Sequence, residues 1–159
     1  MDYRIIRVRT PKVVSLVEPH LSFTDPHQKQ PFLEEFVSLM SHNPESLLVL
    51  GALDDEDELI AFVIAQNPGF NTHYIYVAQV WSHKQNPFSV AEELHAQVVL
   101  WAMSLGKSYL SGETQRSTAA IFHKFGFEPV AQVMRFDIDE SVRERTLDTV
   151  KESLHVKRV

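Results

Sequence analysis

The chain has 159 residues, 44% of them apolar, which suits one domain with a sizeable core and excludes a disordered chain. Its formal charge of −6 argues against sequence-blind nucleic-acid binding, which rests on cationic contacts to phosphates. Without a cysteine, disulfides and thiolate metal sites are excluded as well.

Met1 to Arg9 is too charged for a signal peptide and has no apolar h-region, so a cytoplasmic location is expected. Apolar runs such as "LIAFVIA" fall far short of the ~20 residues a membrane span needs, so no membrane partner is expected. "YRIIRVR" (Tyr3 to Arg9) has strand character. Thr10-Pro11 then offers an N-cap with proline at the first helical position, and "KVVSLVEPHL" is a short helix that breaks near Pro19. Ser22 to Gln30 is a loop. In "PFLEEFVSLMSH", Phe32, Leu33, Phe36, Leu39 and Met40 share one helical stripe, and Asn43-Pro44 ends the helix.

"SLLVLGAL" and "ELIAFVIAQ" flank the acidic turn "DDEDE", a hairpin whose near-continuous hydrophobicity predicts strands covered on both faces. "HYIYVAQVW" is a third strand of this region. From Ser89 to Leu105, Val90, Leu94, Val98, Trp101 and Leu105 recur at helical spacing, with Gly106 as the stop. Ser89-Val90-Ala91-Glu92 reads as a capping box in which the Glu92 carboxylate turns back on the helix start. "KSYLSGE" is a short strand, "STAAIFHKF" a short helix closed by Gly126, and "FEPVAQVMRFDI" a strand again. Val142, Leu147, Val150 and Leu154 give the charged tail a thin apolar stripe. The order β-α-α-β-β-β-α-β-α-β predicts one layered α/β or α+β domain, residues 1–139, followed by a helical extension, residues 140–159.

That order and two local signatures resemble the GNAT acyltransferase superfamily over roughly Tyr3 to Ile138. The resemblance implies a twisted mixed sheet flanked by helices, with the tail helix as an addition. Its stronger signature is "TQRSTAAIFHKFGFEPV", similar to Asn-x-x-Ala-x-x-x-Tyr-x-Lys-x-Gly-Phe, with Lys124, Gly126 and Phe127 in register. The second lies between strand and helix, where family members carry Arg/Gln-x-x-Gly-x-Gly/Ala and hold the pyrophosphate of acetyl-CoA on backbone amides. Here the register is Lys84-Gln85-Asn86-Pro87-Phe88-Ser89, with Lys84 at the basic position, Pro87 at the first glycine and Ser89 at the Gly/Ala.

The resemblance therefore implies acetyl-CoA as the cofactor of an active protein. Lys84 and the turn amides of Phe88, Ser89 and Val90 would hold the phosphates. Backbone N–H groups at Val80 and Trp81 would polarise the acyl carbonyl, and Gln115 stands where an asparagine supports the cofactor arm. The family's acid, a tyrosine, is Phe122, which has no proton to give, and the small alanine is Thr118. Glu113 and His83 are the candidate bases for an amine substrate, directly or through one water. Against that stands the bland reading of Glu113 as a solvated strand-end charge and His83 as a loop surface residue. The eight histidines show no His-x-x-x-His spacing, so no metal site is expected.

Two functions follow. With the loop glycines, the acid and the amide all changed, one is a GNAT-fold protein with weakened or lost acetyl-CoA catalysis and no cofactor. It would serve as a binding or structural module, an assembly component such as a phage one, with a protein partner on the C-terminal helix. The alternative is an active acyl-CoA-dependent N-acyltransferase on a small-molecule or protein amine.

Overall fold

In this computed structural model, residues 2–113, 123–128 and 137–157 are described. Five strands, β1 (Tyr3–Arg7), β2 (Leu47–Asp54), β3 (Leu59–Gln66), β4 (Tyr74–Ser82) and β5 (Tyr109–Gly112), form one sheet in the order β1-β2-β3-β4-β5. The first four pair antiparallel, and β5 joins β4 in parallel. α3 (Phe88–Ser104) is the crossover between β4 and β5 that a parallel pair requires.

β2 and β3 are buried along almost their whole length because both faces of the sheet are covered. Leu48, Leu50 and Ala52 pack with Val90, Leu94, Val98 and Ala102 of α3. Leu47 and Val49 alternate to the other face, where they meet Val13, Val17, Phe36 and Met40 of α1 (Val14–Val17), its flanking turn and α2 (Lys29–His42). The buried stripe of α3 therefore runs through Ala102, and Leu105 is the C-cap, 41% exposed. Gly106 follows at φ +70°, and the Lys107 and Gly106 N–H groups close the end on the Ala102 and Met103 carbonyls, both at 3.0 Å.

The helix starts at Pro11 and at α2 differ from expectation. Thr10 makes no side-chain cap, and the chain from Pro11 to His20 runs as 3-10 turn, α-turn and 3-10 turn. α2 begins at Lys29 rather than Pro31, because a 3-10 turn capped by Asp25 (His27 N–H to Oδ1, 3.0 Å) feeds into it. Pro31 then falls in the first turn, where a missing N–H costs nothing. The acidic hairpin turn is held by the Asp54 carboxylate, which accepts the Glu56 and Glu58 N–H groups at 2.9 and 3.0 Å.

The chain falls into two compact units, Met1–Phe127 and Glu128–Val159. In the second, α4 (Glu140–Lys157) is opened by Asp139, whose Oδ1 accepts the Val142 N–H at 2.8 Å, and Leu147 and Val150 on it are 59% and 50% exposed. Most of the helix expected at "STAAIFHKF", and the strand expected at "FEPVAQVMRFDI", lie outside the described residues. No helix among the described residues is long and apolar enough to cross a membrane.

Candidate functional site

The site begins at an irregularity in β4. Its pairing with β3 slips between Ile64↔Gln79 and Ala65↔Val77, which leaves Ala78 as a bulge. The parallel pairing with β5 ends at Val77↔Gly112, just where the bulge begins. Beyond it the β4 edge that had faced β5 has no strand partner among the described residues. The bond from His83 N–H to the Ile60 carbonyl (2.9 Å) sets the phase of the antiparallel ladder. Residues 79, 81 and 83 exchange backbone bonds with β3, and the Val80 and Ser82 amides point to the open edge. Of the expected acyl-polarising pair, the Trp81 N–H is thus spent inside the sheet and the Val80 N–H faces outward.

The turn from His83 to Pro87 keeps its shape without glycine because Asn86 ties it down. Asn86 Nδ2 donates to the Ile60 carbonyl at 2.6 Å and to Ser82 Oγ at 3.0 Å, while its backbone N–H closes on the His83 carbonyl at 3.0 Å. Lys84 is exposed and forms no ion pair among the described residues.

The capping box is not formed. α3 begins at Phe88 with Pro87 as its N-cap, extended at ψ 149°, and no side chain caps it. Ser89 lies one residue inside the helix, too late to cap. The Glu93 carboxylate turns to β1, where it accepts the Tyr3 hydroxyl at 2.7 Å. That bond, then slight burial, raises the Tyr3 phenol above its ordinary value, and the Ser89 hydroxyl also bonds to it and works in the opposite direction. The Val90 N–H closes on the Pro87 carbonyl at 3.2 Å. The Phe88 and Ser89 amides remain as the first-turn donors that a helix cannot satisfy from within.

Between the open edge of β4 and α3 lies an apolar cleft of about 50 Å³, lined among others by Val80, Ser82, Leu94, His95, Phe125 and Phe127. Phe125 is one of the rings that line it. The ring stacks on Phe88 (centroids 5.2 Å apart) and on His95 (4.4 Å), and Lys124 Nζ sits 5.2 Å from the Phe88 ring centre. Burial lowers the His95 imidazole below its ordinary value and holds it neutral.

The candidate bases stand on the other face. Ile75 and Val77 pack toward α3, so Tyr76 faces α1 and α2. Burial raises the Tyr76 phenol, and the Glu113 carboxylate, at the end of β5, raises it further. Trp81 stacks on His20 at 3.6 Å and meets His83 edge-on at 6.4 Å. Glu113 and His83 are both exposed, and no hydrogen bond or ion pair joins them. Gln115 lies outside the described residues. Sequence reasoning passed over Tyr76, Asn86 and His95. His95, one position beyond Leu94 on the buried stripe, is the one a helical wheel flags.

A mixed five-stranded sheet flanked by helices is the fold of the GNAT N-acetyltransferases. Aminoglycoside 6'-N-acetyltransferase AAC(6')-Ih from Acinetobacter baumannii superposes with a TM-score of 0.66 at 19% identity, over 87% of this chain and 99% of that one. A GCN5-related N-acetyltransferase from Ralstonia eutropha JMP134 gives a TM-score of 0.70 at 9% identity, over 86% and 99%. AAC(6')-Iy in complex with the bisubstrate analog CoA-S-monomethyl-acetylneamine gives 0.61 at 15%, over 87% and 99%. No protein-family model matches the sequence, and no curated protein matches it.

Proposed function

We propose that this protein binds an acyl-CoA at the head of α3 and along the open edge of β4, and that its transfer of the acyl group to an amine is weakened. The observation that carries this is the uncapped start of α3. A helix N-terminus that no side chain caps presents donors and a partial positive charge to an anion. Lys84, exposed in the turn before it, adds a full charge. The GNAT-fold neighbours solved with CoA derivatives are consistent with a coenzyme of that kind.

Weakened transfer follows from the chemistry of the residues. Pro87 contributes no N–H, and Phe122 cannot protonate a departing thiolate. Glu113 stands ready to take the proton of an amine, with His83 as the second candidate, and the Val80 amide to polarise the carbonyl.

Calorimetric titration with acetyl-CoA and with CoA tests this. Micromolar binding is expected, and Lys84→Ala is expected to weaken it by up to about tenfold, the loss of one charge-assisted contact. No heat at millimolar ligand, from folded protein, would overturn the coenzyme reading.

One observation favours a second reading, a catalytically idle binding or structural module. The cleft holds only about 50 Å³, room for roughly four waters, and Phe125 and Phe127 line it. In that case α4, with Leu147 and Val150 exposed, is the element that engages a protein partner, in an assembly such as a phage particle.

A further inference from the structure

α4 runs 18 residues, and from Glu140 to Glu152 every one is exposed except the partly buried Val142. A helix of this length is marginal in water on its own propensity, so it persists by packing an apolar face. Leu147 and Val150 supply such a face, three positions apart and open to solvent.

The residues around them say what covers it. Leu147 and Val150 fit the a and d positions of a heptad, and Glu144 and Lys151 then flank that seam at successive e positions. Neither charge forms an ion pair among the described residues. On the other flank, Thr146 spends its hydroxyl on the Val142 carbonyl (2.8 Å) and brings no charge.

Two copies of this helix complement each other when laid antiparallel, with Leu147 of each against Val150 of the other. Flanking e positions face e positions in that arrangement, so Glu144 of each copy meets Lys151 of the other. The same register sets position 140, a glutamate, level with position 157 of the second copy, a lysine. A parallel pair would instead stack Glu140 on Glu140 and Arg143 on Arg143. The antiparallel contact is also self-complementary about a two-fold axis, so it closes as a dimer.

We propose that α4 is a dimerisation helix that pairs antiparallel with α4 of a second copy, in the Leu147–Val150 register. The inference is independent of whether the cleft binds an acyl-CoA.

Sedimentation equilibrium of the full chain tests it. Self-association at tens of micromolar chain is expected, while a chain ending at Asp139 is expected to stay monomeric. Lys151→Glu sets like charges together twice by symmetry and is expected to weaken the dimer by about tenfold. Adding Glu144→Lys to it exchanges the charges and is expected to restore most of the loss. Both positions are exposed, so the fold is not at stake in these variants. The chain has no cysteine, so direction can be read by mixing Glu144→Cys chains with Lys151→Cys chains and a short bismaleimide. The 144–151 crosslink is expected to dominate over either same-residue crosslink. A full chain that stays monomeric overturns the inference and leaves the helix to a partner of another kind. A dimer that survives truncation, ignores Lys151→Glu or crosslinks mainly through like residues overturns it too.

Discussion

Asn86 holds the turn from His83 to Pro87 in shape without a glycine. Glycine allows a tight path; Asn86 fixes one by bonding its side chain to the Ile60 carbonyl and Ser82 Oγ. Asn86→Ala is expected to lose about 1–2 kcal/mol of stability, from two neutral hydrogen bonds, by denaturant melts. His95 gives a pH signature. Its folded-state pKa lies below the ordinary 6.5, so the unfolded chain binds the proton more readily. Its contribution is therefore intact above about pH 6.5 and declines as pH falls through that value toward the folded pKa. Melting temperatures at pH 7.5 and 5.5 are expected to fall less in His95→Phe than in wild type. An equal fall in both would mean that His95 is as well solvated folded as unfolded.

At the scale of elements, the connector after α1 is pinned to the same stretch of β4 that opens the cleft. Gln79 Nε2 donates to the Ser22 carbonyl at 2.9 Å, and the Ser22 N–H donates to Gln79 Oε1 at 3.0 Å. A buried side-chain amide thus stands in for a strand partner beside the Ala78 bulge. Gln79→Leu would strip the connector of that clasp at a buried site and is expected to cost about 1–3 kcal/mol, read from chemical denaturation. Amide exchange at Ser22 is expected to speed up in the same variant. Unchanged exchange would show that the Gln79 clasp does not hold the connector.

The whole molecule divides into the unit that carries the site, Met1–Phe127, and the unit that ends in α4. Leu147 and Val150 on α4 are 59% and 50% exposed. We propose residues 1–139 as the autonomous domain. A chain ending at Asp139 is expected to melt within a few degrees of the full chain and to keep its coenzyme affinity. A collapse of the melting transition would show instead that α4 is part of the folding unit.

How much of this the amino-acid order determined depends on range. Periodicity, residue propensity and turn signals located β1 to β5, α2 and α3, because an apolar stripe at period 3.6 and doubly apolar strands reflect burial directly. The GNAT fold was legible from the order of those elements together with the resemblance carried by Lys124, Gly126 and Phe127. The Ser-x-x-Glu pattern of residues 89–92 misled, because a capping box depends on where the chain leaves its extended path. Tertiary contacts moved that point to Pro87 and drew Glu93 toward Tyr3, a residue on β1. The ladder phase that aims the Val80 N–H at the open edge and spends the Trp81 N–H on β3 was equally beyond local reading, since it depends on pairing with β3 and on a bulge. The same holds for His95, whose pKa is lowered by burial, with Phe125, thirty residues further along the chain, stacked on its ring. Local pattern determined which elements exist. Only the tertiary structure decided which polar groups face the cleft, because direction and desolvation are set by neighbours distant in sequence.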